Sequence, residues 1–381
     1  MSGSLARQRL ATCRRVVVKV GTNVIMRDDG AVALGRIYGL VESVANLKAQ
    51  GKEVILVSSG AVGLGAQRLA LTEKPRLLTL KQACAAVGQS RLMAVYEDGF
   101  EKLGLVTAQV LLTEDDFVDR HRYLNLRATL GKLLELGVVP IINENDTVST
   151  LELATEGRSP VFGDNDRLSA LVMSKVEADL LVILSDVDGL FTRNPTRDAS
   201  AEWIPVVPEI TPDVEALADG GGARGRGGMA TKLAAAKIAT TSGGLAVIAN
   251  GRTPSVLDRL FAGEEIGTVF LPTAPLQGKR RWIAYAAPLA GRVVVNAGAR
   301  AAVVERKASL LPAGVERLEG SFEKGDVVLI AEGEHAFARG VVNYGREDAD
   351  KLLGAHSSEI SGRGVKKGYD ALVTRNNIVI L

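Results

Sequence analysis

Six short stretches place polar or charged residues where an apolar segment ends or a helix begins, and their chemistry is that of anion handling. The first is Val16-Val17-Val18-Lys19-Val20-Gly21-Thr22-Asn23. Four valines within five positions read as a buried strand, and a lysine is almost never left buried without an anionic partner. Lys19 is therefore expected at the strand's carboxyl end, facing a ligand; the alternative is that it lies along apolar surface with its ammonium in water. A second stretch is Gly225-Arg226-Gly227-Gly228-Met229-Ala230-Thr231-Lys232. Glycines ahead of a helix leave amides free to wrap phosphate oxygens, and the helix amino end favours negative charge. By itself, such a glycine run also suits a flexible linker.

The remaining stretches are Ser58 to Gly65, Asn143 to Asp146, Gly163 to Asp166, and Ser185-Asp186. Ser58 to Gly65 reads as a small-residue turn that lets backbone amides approach a ligand. It is neither a P-loop nor a dinucleotide fingerprint, because the GK[ST] ending and the G-x-G-x-x-G order are both missing. Taken singly, Asn143 to Asp146 is a turn and Gly163 to Asp166 a helix cap. Their convergence carries the information, since the carboxyl ends of strands in an open α/β sheet line one crevice.

The elements that must position these residues alternate. Leu34, Ile37, Leu40, Val41, Val44 and Leu47 recur at helical spacing before the strand Val54 to Val57, which makes a βαβ unit. Helical patterns follow over Leu77 to Leu103 and Leu124 to Leu136. Strands are expected at Leu105 to Leu112, Val138 to Ile142, Leu180 to Leu184 and Ala246 to Ala249. The fold class is α/β, an open, mostly parallel sheet with helices on both faces. Residues 1–271 form this domain and 272–287 a linker rich in proline and basic residues. Residues 288–381 form a small β-rich domain, with short runs at Val293 to Val295, Val327 to Ile330, Phe337 to Val342, Ala371 to Thr374 and Ile378 to Leu381.

Composition narrows the classes. Lys plus Arg (46) against Asp plus Glu (44) leaves +2, so no bulk field points to nucleic acid or an anionic membrane. The last 94 residues carry 13 basic and 12 acidic side chains, a weak footprint for an RNA binder. Two cysteines match no disulfide framework or zinc spacing, and three scattered histidines suggest no metal cluster. No run of 18 apolar residues occurs. A cytoplasmic protein with no membrane association is the expectation.

Val-Val-Val-Lys-Val-Gly-Thr-Asn, Val-Ser-Ser-Gly-Ala-Val, Ala86 to Leu92, Ile-Asn-Glu-Asn-Asp, Phe-Gly-Asp-Asn-Asp-Arg-Leu-Ser-Ala and Gly-Gly-Met-Ala-Thr-Lys resemble, in this order, the glutamate 5-kinase family within the wider amino-acid kinase family. The domain after Pro288 is similar to the PUA domain of bacterial members. The resemblance implies phosphorylation of the side-chain carboxylate of L-glutamate by ATP, giving L-glutamyl 5-phosphate for proline biosynthesis. It implies Lys19 and Lys232 as the charges on the transferring phosphoryl group, with Asp166 holding both. Ser59, Asp146 and Asn165 would bind glutamate. Lys19, Ser185, Asp186, Arg226, Gly227, Gly228, Met229, Ala230, Thr231 and Lys232 would bind ATP.

Magnesium is expected to be held mainly by the nucleotide phosphates, with no protein metal cage. Proline as feedback inhibitor and a homo-oligomer, dimer or tetramer, follow from the same resemblance. RNA binding by the PUA-like domain is the weaker expectation, given its charge. Two departures stand out. Arg226 occupies a place where many members carry a small or hydroxyl residue, and the loop Thr150 to Val161 is longer than the pattern requires.

Overall fold

The computed structural model describes residues 3–73, 75–113, 115–148, 165–218, 228–273, 283–284, 287, 289–355, 363 and 370–381. Described residues up to 273 belong to one compact unit and those from 283 onward to a second.

In the first unit, α1 (Gly3–Thr12) precedes β1 (Arg15–Val20). Then come α2 (Thr22–Ile25), α3 (Leu34–Ala49), β2 (Glu53–Ser58), α4 (Ala61–Arg68), α5 (Leu78–Lys102) and β3 (Thr107–Leu112). Next are α6 (Asp115–Val118), α7 (Arg120–Glu135), β4 (Val139–Glu144), α8 (Asn165–Val176) and β5 (Leu180–Ser185). The unit closes with β6 (Leu190–Phe191), β7 (Trp203–Ile204), β8 (Val206–Val207), α9 (Pro212–Ala216), α10 (Met229–Thr241), β9 (Leu245–Asn250), α11 (Val256–Phe261) and β10 (Thr268–Phe270).

Eight strands form one sheet in the order β3-β4-β2-β1-β5-β9-β10-β8, while β6 and β7 pair separately. From β3 to β9 every pairing is parallel; only β10 runs against β9. Side chains alternate across a strand, so β1 divides its residues between two layers. Val16, Val18 and Val20 join a core with Ile37, Leu40 and Val44 of α3 and Leu257 and Leu260 of α11. Val17 and Lys19 face the other way, where α8 packs on β1, β2 and β5 and α10 on β5 and β9. β1 sits between β2 and β5, at the point where the chain reverses its direction of travel across the sheet. That is where an open α/β sheet has its crevice.

In this unit one sequence reading changes and one helix is unannounced by the sequence. The small-residue turn of Ser58 to Gly65 shrinks to Ser59 and Gly60, because Gly60 adopts φ 103° and caps α4. The glycines beyond it serve packing instead of ligand approach: a Cβ on Gly65 would lie 1.8 Å from the Cys84 carbonyl oxygen, and one on Gly88 1.8 Å from that of Ala61. Helix α1, which has no apolar period to announce it, is anchored by a buried arginine. Arg7 donates to the carbonyls of Glu264 at 2.9 Å, Ile266 at 2.7 Å and Gly267 at 3.0 Å.

The second unit has β11 (Leu289–Val295), β12 (Val315–Gly320), β13 (Val327–Glu332), β14 (His335–Val341) and β15 (Ile378–Ile380), in the sheet order β12-β11-β13-β14-β15. Val293, Val295, Leu318, Phe322, Val328, Ile330 and Phe337 fill its core. Strand β12 escapes the apolar-run criterion because Glu316, Arg317 and Glu319 break its sequence. The run Ala371 to Thr374 is reduced to one bridge between Val373 and Leu310.

Candidate active site

Strand β1 delivers Lys19 to the face covered by α8 and α10, and both helices begin at the same level. Asp166, in the first turn of α8, has no exposed surface; Lys19 is 6% exposed and Lys232, in the first turn of α10, is 4% exposed. The Lys19 ammonium lies 2.5 Å from Asp166 Oδ1, and that of Lys232 lies 3.3 Å from Asp166 Oδ2. Thr231 Oγ1 lies 2.9 Å from the same Oδ2. Burial alone would push the Asp166 carboxyl up, but the two lysine charges outweigh it and hold the group below its usual range. Two ammonium groups thus converge on one carboxylate in a nearly dry site, where a fixed positive charge acts strongly on an anionic ligand.

Beside this cluster, three strand ends and a helix start supply a neutral set of hydrogen bonds. Asn165 Nδ2 donates to Ser59 Oγ at 2.9 Å and to Asn143 Oδ1 at 2.9 Å, with the Ser58 carbonyl 3.3 Å away. Ser59 is held in turn by its amide, which donates to the Val20 carbonyl at 3.0 Å. Asp146 follows β4 and is half-buried. Burial pushes its carboxyl up to about 6, and among the described residues it meets no cation. A carboxylate that pays for desolvation without a partner is suited to a ligand ammonium.

At the end of β5, the buried Ser185 donates to Asp186 Oδ1 at 3.0 Å, and Asn23 Nδ2 donates to Asp186 Oδ2 at 2.7 Å. Burial opposes ionisation of Asp186, but these hydrogen bonds and the Lys232 charge hold its carboxyl below the usual range. Gly228 caps α10, with Met229 to Lys232 as the first turn. Arg226, Gly227 and the loop Thr150 to Val161 lie outside the described residues. Among the described residues no three His, Cys, Asp or Glu side chains come together in a way that could hold a metal ion.

The structure therefore brings Lys19, Asp166, Thr231 and Lys232 together, and joins Ser59 to Asn165. It also shows partners that sequence reasoning left without a role. Asn23 stands in the first quoted stretch and Gln89 in Ala86 to Leu92, yet nothing in their spacing says that one reaches Asp186 and the other Asn143.

Comparison with known proteins matches residues 14–250 to the amino acid kinase family and 291–362 to the PUA domain. A glutamate 5-kinase of Caldanaerobacter subterraneus subsp. tengcongensis is 47% identical over 370 residues, covering 96% of this chain and 98% of the relative. One of Pelobacter propionicus is 44% identical over 381 residues, covering 99% and 100%. One of Moorella thermoacetica is 46% identical over 378 residues, covering 98% of each. With a family match across most of the first unit and relatives alike from end to end, this chain belongs to the amino acid kinase family.

Proposed function

We propose that the chain transfers the γ-phosphoryl group of ATP to the side-chain carboxylate of L-glutamate, the first step of proline biosynthesis. The observation that carries this reading is the buried Lys19-Asp166-Lys232 cluster, which sets two ammonium groups together at the end of β1 and the start of α10. The end-to-end likeness to glutamate 5-kinases supports the choice of acceptor.

A glutamate side chain is already ionised at neutral pH, so the acceptor needs no general base. Its oxygen attacks the γ-phosphorus as the bond from that phosphorus to the β,γ-bridging oxygen breaks. The products are L-glutamyl 5-phosphate and ADP, with the electron pair on the leaving ADP oxygen. Catalysis of this kind rests on alignment and on charge placed where charge moves. Lys19 approaches from β1 and Lys232 from α10, and Asp166 sets their separation. Ser59 and Asn165 hold the amino acid at the end of β2 and the start of α8, and Asp146 takes its ammonium. Ser185, Asp186 and the first turn of α10, with Arg226 and Gly227 ahead of it, serve the nucleotide.

In this reading, magnesium is carried in on the nucleotide phosphates and water. When bound, the ion would supply charge neutralisation on the β- and γ-phosphoryl oxygens. The proposal extends to proline as feedback inhibitor, to a homo-oligomer and to a cytoplasmic location. The last is supported by two buried free cysteines, Cys13 and Cys84. No helix among the described residues is long and apolar enough to cross a membrane. Binding of RNA by the second unit is not part of the proposal, given the near-neutral charge of its sequence.

The test is ADP release in the presence of ATP, magnesium and L-glutamate, with hydroxylamine added to trap the acyl phosphate as a hydroxamate. Glutamate-dependent hydroxamate is the expected result. Hydroxamate formed only with another acidic amino acid would move the assignment to a different acceptor.

A further inference from the structure

Resting on the reading of Ser59, Asn165 and Asp146 as the glutamate site, we propose that Gln89 is a positioning residue for the amino-acid substrate. It acts through Asn143 to hold Asn165 with its carbonyl oxygen turned to the ligand.

Gln89 lies in α5 and is 8% exposed; Asn143, at the end of β4, is 2% exposed. The Gln89 Oε1 accepts from Asn143 Nδ2 at 2.9 Å, and this bond is buried. Asn143 Oδ1 in turn accepts from Asn165 Nδ2 at 2.9 Å. The relay ends on Ser59 Oγ and the Ser58 carbonyl, at 2.9 and 3.3 Å from Asn165 Nδ2. A backbone carbonyl can only accept, so Asn165 must turn its NH2 toward Ser58. That NH2 has two hydrogens and is fully used by these acceptors. The Asn165 Oδ1 is then the free end, buried and without a hydrogen-bond partner among the described residues. A buried acceptor left unmet is costly, and a ligand N–H relieves the cost.

Gln89 is the far anchor of this arrangement. Remove its acceptor and the Asn143 NH2 becomes a buried donor with nothing to meet. Asn143 then gains by turning away, and Asn165 loses one of its holds. Neither Gln89 nor Asn143 needs to touch the substrate for this to matter. The consequence falls on binding of the amino acid, not on phosphoryl transfer or the nucleotide, because Lys19, Lys232 and Asp166 are held by their own contacts.

The experiment is steady-state kinetics of the full chain with Gln89→Met, which keeps the volume and removes the acceptor, and Gln89→Glu, which keeps an acceptor oxygen toward Asn143. Gln89→Met is expected to raise the glutamate KM about tenfold, with kcat and the ATP KM within about threefold. Gln89→Glu should recover most of that loss. In an Asn143→Ala background, Gln89→Met should change the glutamate KM less than about twofold, since the two residues act in series. Circular dichroism and thermal melting report whether each variant is folded, and Gln89→Leu replaces Gln89→Met should the latter not fold. An active wild type with an unchanged glutamate KM in the folded variant overturns the inference, as does multiplication of the two effects or an equal rise in the ATP KM. A wild type with no glutamate-dependent turnover overturns the functional reading itself, and this inference falls with it.

Discussion

Lys19 Nζ stands 2.5 Å from one oxygen of Asp166, while the other oxygen of the same carboxylate serves Lys232 at 3.3 Å. One fully buried anion thus fixes two cations that arrive from a strand and a helix far apart in sequence. Asp166→Asn should leave both ammonium groups facing each other in a dry site. The expected cost is about 3 kcal/mol of stability together with a fall in kcat of roughly a hundredfold. The carboxyl is held below its usual 3.8, so the pairing is fully present above that pH and is lost only as the pH falls further. Thermal melting near neutrality and single-turnover rates check both parts. In a Lys19→Met background, the added loss of stability from Asp166→Asn should be smaller, because one of the stranded charges is gone.

Lys232 differs from the glutamate-site residues in what its loss should do. Its ammonium sits at the start of α10, 3.3 Å from Asp166 Oδ2. Lys232→Ala is expected to lower kcat by roughly 10²- to 10³-fold and to leave the glutamate KM within about twofold. Asp146→Ala should do the reverse, raising the glutamate KM by an order of magnitude or more with a smaller effect on kcat. Substrate titrations of both variants side by side decide it; matching profiles would remove the division of roles.

The Asp146 carboxyl also sets a pH dependence. Burial pushes it up to about 6, whereas the glutamate side chain itself titrates near 4.3. Protonation of Asp146 removes the charge that meets the substrate ammonium, so kcat/KM for glutamate should fall about tenfold per pH unit below 6. The ATP KM should be flat over the same range. Asp146→Asn should lose this acid limb along with much of its affinity, and a limb that persists in that variant would assign the titration to another group.

Much of this site was legible before the fold, and the reasons are physical. Lys19 betrays itself because a charge inside a valine run violates the burial pattern of a parallel strand. Asp166 and Lys232 do so because each stands in the first turn of an apolar helix, after residues that open helices. Gln89 gave no such sign: a buried glutamine inside an alanine-rich helix looks like an exposed helix former until its bond to Asn143 of β4 is seen. The Ser58 to Gly65 stretch misled in the opposite sense. Small residues mean close approach, but the approaching group at Gly65 is the backbone of α5 and not a ligand. In the second unit, β12 was hidden because its register against β11 shifts between Val294 and Val295, which leaves the buried Val315 and Leu318 three positions apart with the exposed Glu316 and Arg317 between them.

Lys175 gives a prediction about stability that is independent of catalysis. It lies in α8, only 2% exposed, with its ammonium set over the Tyr123 ring. Burial, and then the nearby Arg127 charge, push it down from 10.5 to about 6. Among the described residues, its ammonium has no hydrogen-bond partner. A lysine whose folded value lies below its unfolded value binds its proton more readily in the unfolded chain. Its contribution to stability is therefore lost as the pH falls from about 10.5 toward 6, and the full cost remains below that. Lys175→Met keeps most of the volume and removes the ionisable amine, and with it the cost of stripping its proton on folding. It should raise stability by about 2 kcal/mol near pH 7, with little gain at pH 10.5 and a level gain below pH 6. Melting curves of wild type and variant across that range check the sign. A variant less stable than wild type at pH 7 would mean that the contact of the Lys175 side chain with the Tyr123 ring outweighs the cost of burying it.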